Sequence, residues 1–324
     1  MRNWFNRSIV ATALAAAAVS AVISISVTRT AGQAARPVRP ARTADGKPNF
    51  GGVWQALNEA NWDLQAHEAR AGMVTQKGVY DYEYARVPAA PVVALGAAAG
   101  VPGSLGVVQG DGQIPYKPEA AAIKQQNSEN WIDRDPELKC YLPGIPRAMY
   151  MPYPFSIVQG TNKIQMTYAF SNAGRVIHLN KVEGPPDDTY MGHSVGHWER
   201  DTLVVDVTNF NGKNWFDRAG NFHSDALHLV ERYSPMSADA IRYEVTIDDP
   251  KTFTRSWTIA MPLYRRLETN ATVIDYPCME FAEEFMYGHL RKQQLVKHWE
   301  SETMNVDITR KIPPGDRLHD WYRR

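Results

Sequence analysis

The sequence predicts a mainly β fold, an antiparallel up-and-down β-barrel with peripheral helices, and three observations carry that expectation. From Phe155 onward the chain breaks into short runs rich in Val, Ile, Tyr and Thr, in which apolar and polar residues alternate, separated by turn residues such as Asn172-Ala173-Gly174, Pro235 and Asp248-Asp249-Pro250. No strand–helix alternation is present, so a doubly wound parallel sheet is excluded. With about eight or nine strands joined by hairpin-length connections, closure into a barrel removes the edges that an open sheet would expose.

Taken in order, the chain starts with Arg2 and Arg7 ahead of an apolar run from Ile9 to Val27, followed by small residues at Ala31–Ala35. This is the pattern of an export signal, and a cleaved leader or an uncleaved membrane anchor both fit residues 1–34. Residues 35–47 hold Arg36-Pro37 and Arg39-Pro40 without an apolar period and read as a linker, after which residues 48–324 form one domain. Gly52-Val53-Trp54 opens the first strand. Asn58–Arg70 has helix-forming composition. Val87–Val108 is almost uncharged and broken by Pro91 and Pro102, which suits a mobile apolar loop outside the core, and Pro118–Asn130 reads as a helix.

Residues Asp135–Phe155 contain five prolines among Tyr and Met. Proline cannot join a central ladder, so the segment is expected as an irregular strap laid over the scaffold. The strands expected next are Ser156–Gln159, Lys163–Phe170, Arg175–Asn180, Gly192–Glu199, Thr202–Thr208, Ala226–Tyr233, Ile241–Ile247, Phe253–Met261 and Thr272–Asp275. The tail, residues 280–297, is helical in composition.

The run GHSVGHWERDTLVVDVT, Gly192–Thr208, is read as a hairpin turning at Arg200-Asp201. That turn opposes Trp198 to Leu203, His197 to Val204, Gly196 to Val205 and Val195 to Asp206. One face then carries Trp198, Leu203, Val205 and Val207; the other carries His193, Val195, His197, Val204 and Asp206. The second face, with imidazole and carboxylate among β-branched residues, is expected to line the barrel interior.

DGKPNFGGVW (Asp45–Trp54), DPELKCYLPGIPRAMYMPYPF (Asp135–Phe155), GHWERDTLVVDVTNF (Gly196–Phe210), HLVERY (His228–Tyr233), YEVTIDDPKTFTRSW (Tyr243–Trp257) and YPCMEF (Tyr276–Phe281) together resemble a widespread family of exported bacterial proteins. The resemblance brings no activity, cofactor or catalytic residue with it. The family commonly has Gly where Arg200 stands. Gly52-Val53-Trp54 also resembles the start of lipocalin-like (calycin) barrels, where the Trp closes the barrel floor.

Lys plus Arg equals Asp plus Glu at 35 each, which leaves no basic excess for a phosphate backbone and argues against nucleic acid as a partner. Two cysteines, Cys140 and Cys278, are too few for a zinc ribbon and lack CxxC spacing. In an oxidising compartment such a pair is expected as one disulfide, with two buried thiols as the alternative. Nine histidines raise the question of a metal, but His193 and His197 stand about 13 Å apart along a strand, too far to share an ion, and no metal or cofactor is expected.

Candidate catalytic residues are His197 with Asp206, and Asp217 with His223 in the long connection Asn209–Asp225; His193, Asn209, Trp215 and Arg218 are candidate ligand contacts. No GxSxG elbow, SxxK or glycine-rich phosphate loop is present. The expected function is an exported, periplasmic or secreted protein binding a small hydrophobic or aromatic molecule, possible membrane attachment being through the N-terminal segment. The alternatives are a cofactor-independent lyase, isomerase or hydratase using a His/Asp acid–base pair, and a structural envelope subunit.

Overall fold

The structure is a computed structural model that describes residues 40–71, 100–129 and 134–280. The expected leader, the tail helix beyond Glu280 and residues 87–99 of the apolar loop lie outside the described residues. The strands are β1 Gly52–Ala56, β2 Arg70–Ala71, β3 Gly100–Val101, β4 Phe155–Gln159, β5 Lys163–Tyr168, β6 Gly174–His178, β7 His193–Glu199, β8 Thr202–Thr208, β9 His228–Pro235, β10 Ala240–Asp248 and β11 Trp257–Arg265. The helix α1 spans Pro118–Glu129, at the place expected, and a single 3-10 turn covers Arg147–Met149.

Nine strands close into a barrel in the order β1-β11-β10-β9-β8-β7-β6-β5-β4, with β1 pairing β4 to complete the ring. The topology is mixed, which corrects the all-antiparallel expectation. β6 and β7 run parallel, through Ile177↔Ser194 and His178↔Val195, while the other barrel ladders are antiparallel. The segment between them contains Pro185-Pro186 and is too long for a hairpin, so it carries the chain back to the end from which β6 set out.

The β7–β8 hairpin has the expected register, with Trp198↔Leu203, His197↔Val204, Gly196↔Val205 and Val195↔Asp206. Its turn needs a left-handed residue, and Arg200 takes that conformation at φ 55°. Asp201, beside it, is clamped by Arg42, whose Nη1 and Nη2 donate to the carboxylate at 2.9 and 2.8 Å.

Alternation places Ile241, Tyr243, Val245 and Ile247 of β10 inside, together with Leu203, Val205 and Val207 of β8 and Ile259, Met261 and Leu263 of β11. These form one core, in which each fully buried aliphatic or aromatic side chain stabilises by about 1.5–3 kcal/mol. Near one end Trp54 is buried; its Nε1 donates to the Phe50 carbonyl at 2.8 Å and the Arg265 guanidinium lies 4.3 Å from its ring. Gly52, at φ 133°, must be glycine here, because a Cβ would run into that guanidinium.

The interior also holds an ion pair. Arg175 of β6 and Glu231 of β9, both buried, bond each other through both guanidinium Nη atoms; Arg175 Nε donates to Ser194 Oγ at 2.9 Å, and the hydroxyls of Tyr233 and Tyr243 donate to Glu231 at 2.9 and 2.6 Å. With Tyr168, Met149 and Met166 packed beside it, this cluster fills space that a ligand-carrying barrel would leave open.

Three further expectations are corrected. Asn58–Arg70 is a series of turns rather than a helix, because Asn58 and Asp63 accept from the N–H groups of Ala60 and Gln65, and such local bonds compete with helix formation. Thr272–Asp275 forms no strand. The described end of the apolar segment, residues 100–108, belongs to the core: Val101 and Val107 are buried, and Val107 joins Leu64 and Ala260 by backbone bonds of 2.8 and 3.0 Å.

Candidate functional site

The expected inward pair His197 and Asp206 is not inside. Their side chains are 56% and 49% exposed on the outer surface, where His197 Nε2 lies 3.5 Å from Glu199 and Asp206 lies 3.2 Å from His228 Nε2. The face with Trp198, Leu203, Val205 and Val207 points inward instead, and Gly196 leaves room on it for Ile177 and Leu179. A closed sheet has one interior, so the opposite face of the hairpin must meet solvent. His193, on that outer face, is half-buried beside His178, with ring centroids 5.5 Å apart. Asn209 is at φ 59° and donates through Nδ2 to Asp188 at 3.3 Å. Among the described residues no group of three or more His, Cys, Asp or Glu is arranged to hold a metal ion.

The loop after β8 folds inward, as its buried members show. Asp217 acts as a backbone anchor: its carboxylate accepts from the N–H groups of Leu64, Ala219 and Asn221 and from Asn221 Nδ2, at 2.6 to 3.1 Å. Burial, and then the nearby Asp63 charge, push its pKa up to about 7 against these bonds. His223 is buried against Phe210 and Phe216, bonded through Nδ1 to the Ser224 carbonyl oxygen at 2.9 Å, and burial holds its pKa below the usual range. Trp215 is buried and bridges to Phe222. These three side chains hold the loop rather than face an opening.

Arg218 behaves differently. It reaches the proline strap, where Nε and Nη2 donate to both oxygens of Glu137 at 2.9 Å, while its plane lies 4.5 Å from the Trp62 ring. Glu137 also accepts from Arg147 Nη2, and Arg147 makes a two-pronged bond to Asp135 at 2.8 and 3.0 Å and donates from Nε to Asn61 at 3.0 Å. The 3-10 turn is what aims Arg147 back at Asp135 and Glu137, and the Asp135 carboxylate secures the turn by accepting from Glu137 N–H at 2.9 Å. Burial alone would raise the Glu137 pKa, but the positive charges of Arg218 and Arg147 outweigh it and bring the carboxyl down to about 2.

Beside Glu137 and Arg218 opens a cleft of about 340 Å³, counting its mouth, with Leu138, Cys278 and Met279 also in its lining. Its remaining wall is aromatic. Tyr153 stacks on Tyr276 with centroids 4.5 Å apart, and Phe170 lies 6.4 Å from Tyr153 and 6.1 Å from Tyr276. Backbone bonds from Ser171 N to Tyr276 O and from Tyr276 N to Ala169 O, and the disulfide Cys140–Cys278, fasten the Tyr276–Met279 segment to the strap side. The disulfide is the pairing expected of the two cysteines.

Of the candidate residues for catalysis and binding, Arg218 is the one that lines this cleft. Glu137, Tyr153, Phe170 and Tyr276 were not among them. The strap offered a signal in Asp135 and Glu137, two acids in an otherwise uncharged, proline-broken, aromatic stretch that a surface strap does not need. Comparison of the chain with family models, curated proteins and solved structures finds no match.

Proposed function

We propose that the chain is an exported protein that binds a small aromatic or apolar molecule, with a calycin-like barrel as scaffold and the strap cleft as the site. The cleft carries this reading: three aromatic rings and a charged pair converge on an opening of a size suited to small ligands. The barrel interior is an unsuitable site because Arg175, Glu231 and their tyrosines occupy it. Trp54 closing one end beneath Arg265 supports the calycin-like reading, and a disulfide is compatible with a compartment outside the cytoplasm. The cofactor-independent lyase, isomerase or hydratase finds less support, since Asp206 and His197 stand apart on the outer face in open solvent.

Native mass spectrometry of the protein purified from its own host tests the proposal. A retained small molecule that is lost in Tyr276→Ala supports it. A protein that carries nothing, and that turns over substrate in a manner abolished by His197→Gln with Asp206→Asn, overturns it.

A further inference from the structure

Resting on that reading of the cleft, we infer that the ligand is an uncharged planar ring compound with a hydroxyl-type polar group, a neutral phenol being the model, and that the site rejects the ionised counterparts. The cleft is bordered by charges, yet those charges are already matched. Asp135 and Glu137 supply two carboxylates, Arg147 and Arg218 two guanidiniums, and the four are joined in one continuous set of bonds. Both Glu137 oxygens receive guanidinium N–H groups, so a cationic ligand would compete with two arginines for the same carboxylate. An anionic ligand faces the converse: the edge of Arg218 that carries Nε and Nη2 is turned to Glu137, and its plane rests on Trp62. Any ion entering the cleft would lose hydration without gaining a partner, and such a loss is costly.

The aromatic wall favours the opposite kind of molecule. Tyr153, Phe170 and Tyr276 present ring faces and edges within 6.4 Å of one another, a spacing that takes a further ring in stacked or edge-on contact. Two of the three rings end in hydroxyls, which give a neutral ligand a donor and an acceptor. Burial, and then the hydrogen bond to Tyr276, keep the Tyr153 phenol protonated well beyond the usual range, so the wall itself adds no charge.

Three probes of matched ring size decide the matter at neutral pH with the full chain: 2-naphthol, 2-naphthoate and 2-naphthylmethylammonium, titrated by fluorescence. 2-Naphthol is expected to bind at least tenfold tighter than either ion. Tyr276→Ala, an exposed position that is safe for folding, should weaken 2-naphthol at least tenfold, and Met279→Trp, which narrows the mouth, should block it. An ion that binds as tightly as 2-naphthol, and whose binding is lost in Tyr276→Ala, overturns the preference for neutral ligands while leaving the cleft as the site. Failure of all three probes, or binding indifferent to both substitutions, overturns the cleft reading and this inference with it.

Discussion

The molecule contains two buried ionic clusters that differ in how they are enclosed. Arg175–Glu231 is sealed within the barrel, held by Ser194, Tyr233 and Tyr243, all from staves of the same sheet. The Asp135–Arg147–Glu137–Arg218 set joins the strap, the turns around Asn61 and the loop after β8, and one side of it borders the cleft. Burial and pairing are alike in the two. The lesson is that a buried charge points to function only where its surroundings open: the first cluster fastens strands whose positions the ladders already set, whereas the second positions loops that have no ladder.

The sharpest way to break the comparison is Glu231→Ala, which strands a buried guanidinium and should destabilise the fold by about 3–5 kcal/mol in urea unfolding. Replacing Arg175 with Met and Glu231 with Gln together should recover most of that loss, because the tyrosines keep an acceptor; if the pair is no better than the single change, the ion pair is not what the barrel needs. A second effect comes from acid. The folded-state pKa of Glu137, about 2, lies below its ordinary 4.5, so its stabilisation is complete above pH about 4.5 and is lost as pH falls through about 2. The amount is about 3 kcal/mol, read as a fall in the urea midpoint between pH 5 and pH 2. Glu137→Gln should flatten that part of the curve, and an unchanged slope in the variant would assign the acid sensitivity elsewhere. The smallest effect is expected from the outer pair. His228→Gln with Asp206→Asn should alter stability by no more than about 0.5 kcal/mol, since both groups are roughly half-exposed. A loss of retained ligand in that variant would restore the outer face of the hairpin as a candidate site.

Much of the sheet was legible because side-chain alternation is a local property. The β7–β8 register follows from the turn at Arg200-Asp201 alone, and β8 begins and ends where its alternation does. Which face looks inward is not local. Reading Trp198–Leu203 as ordinary core and His197–Asp206 as a barrel lining assigned two interiors to a sheet that encloses one. The parallel β6–β7 seam was hidden for a similar reason, since direction is set by where residues 179–192 travel. The β11 strand starts at Trp257 rather than Phe253, because Asp249 gathers the N–H groups of Lys251 and Thr252 into a turn. The site was least legible of all: Asn61, Glu137, Arg147, Tyr153, Arg218 and Tyr276 share no spacing, and only the folded strap and loop bring them together.

The disulfide spans 138 residues, and the covalent loop it closes contains β4 through β11. β1 lies outside that loop. The barrel is therefore an eight-strand hoop joined by sulfur, with a ninth stave slotted in from an open end of the chain and held by two ladders, Gly52–Trp54 against β4 and Trp54–Ala56 against β11. A backbone break anywhere between Ala56 and Asp135 would leave the hoop covalently whole and make the stave a separate, exchangeable part, which a second copy of the chain could supply.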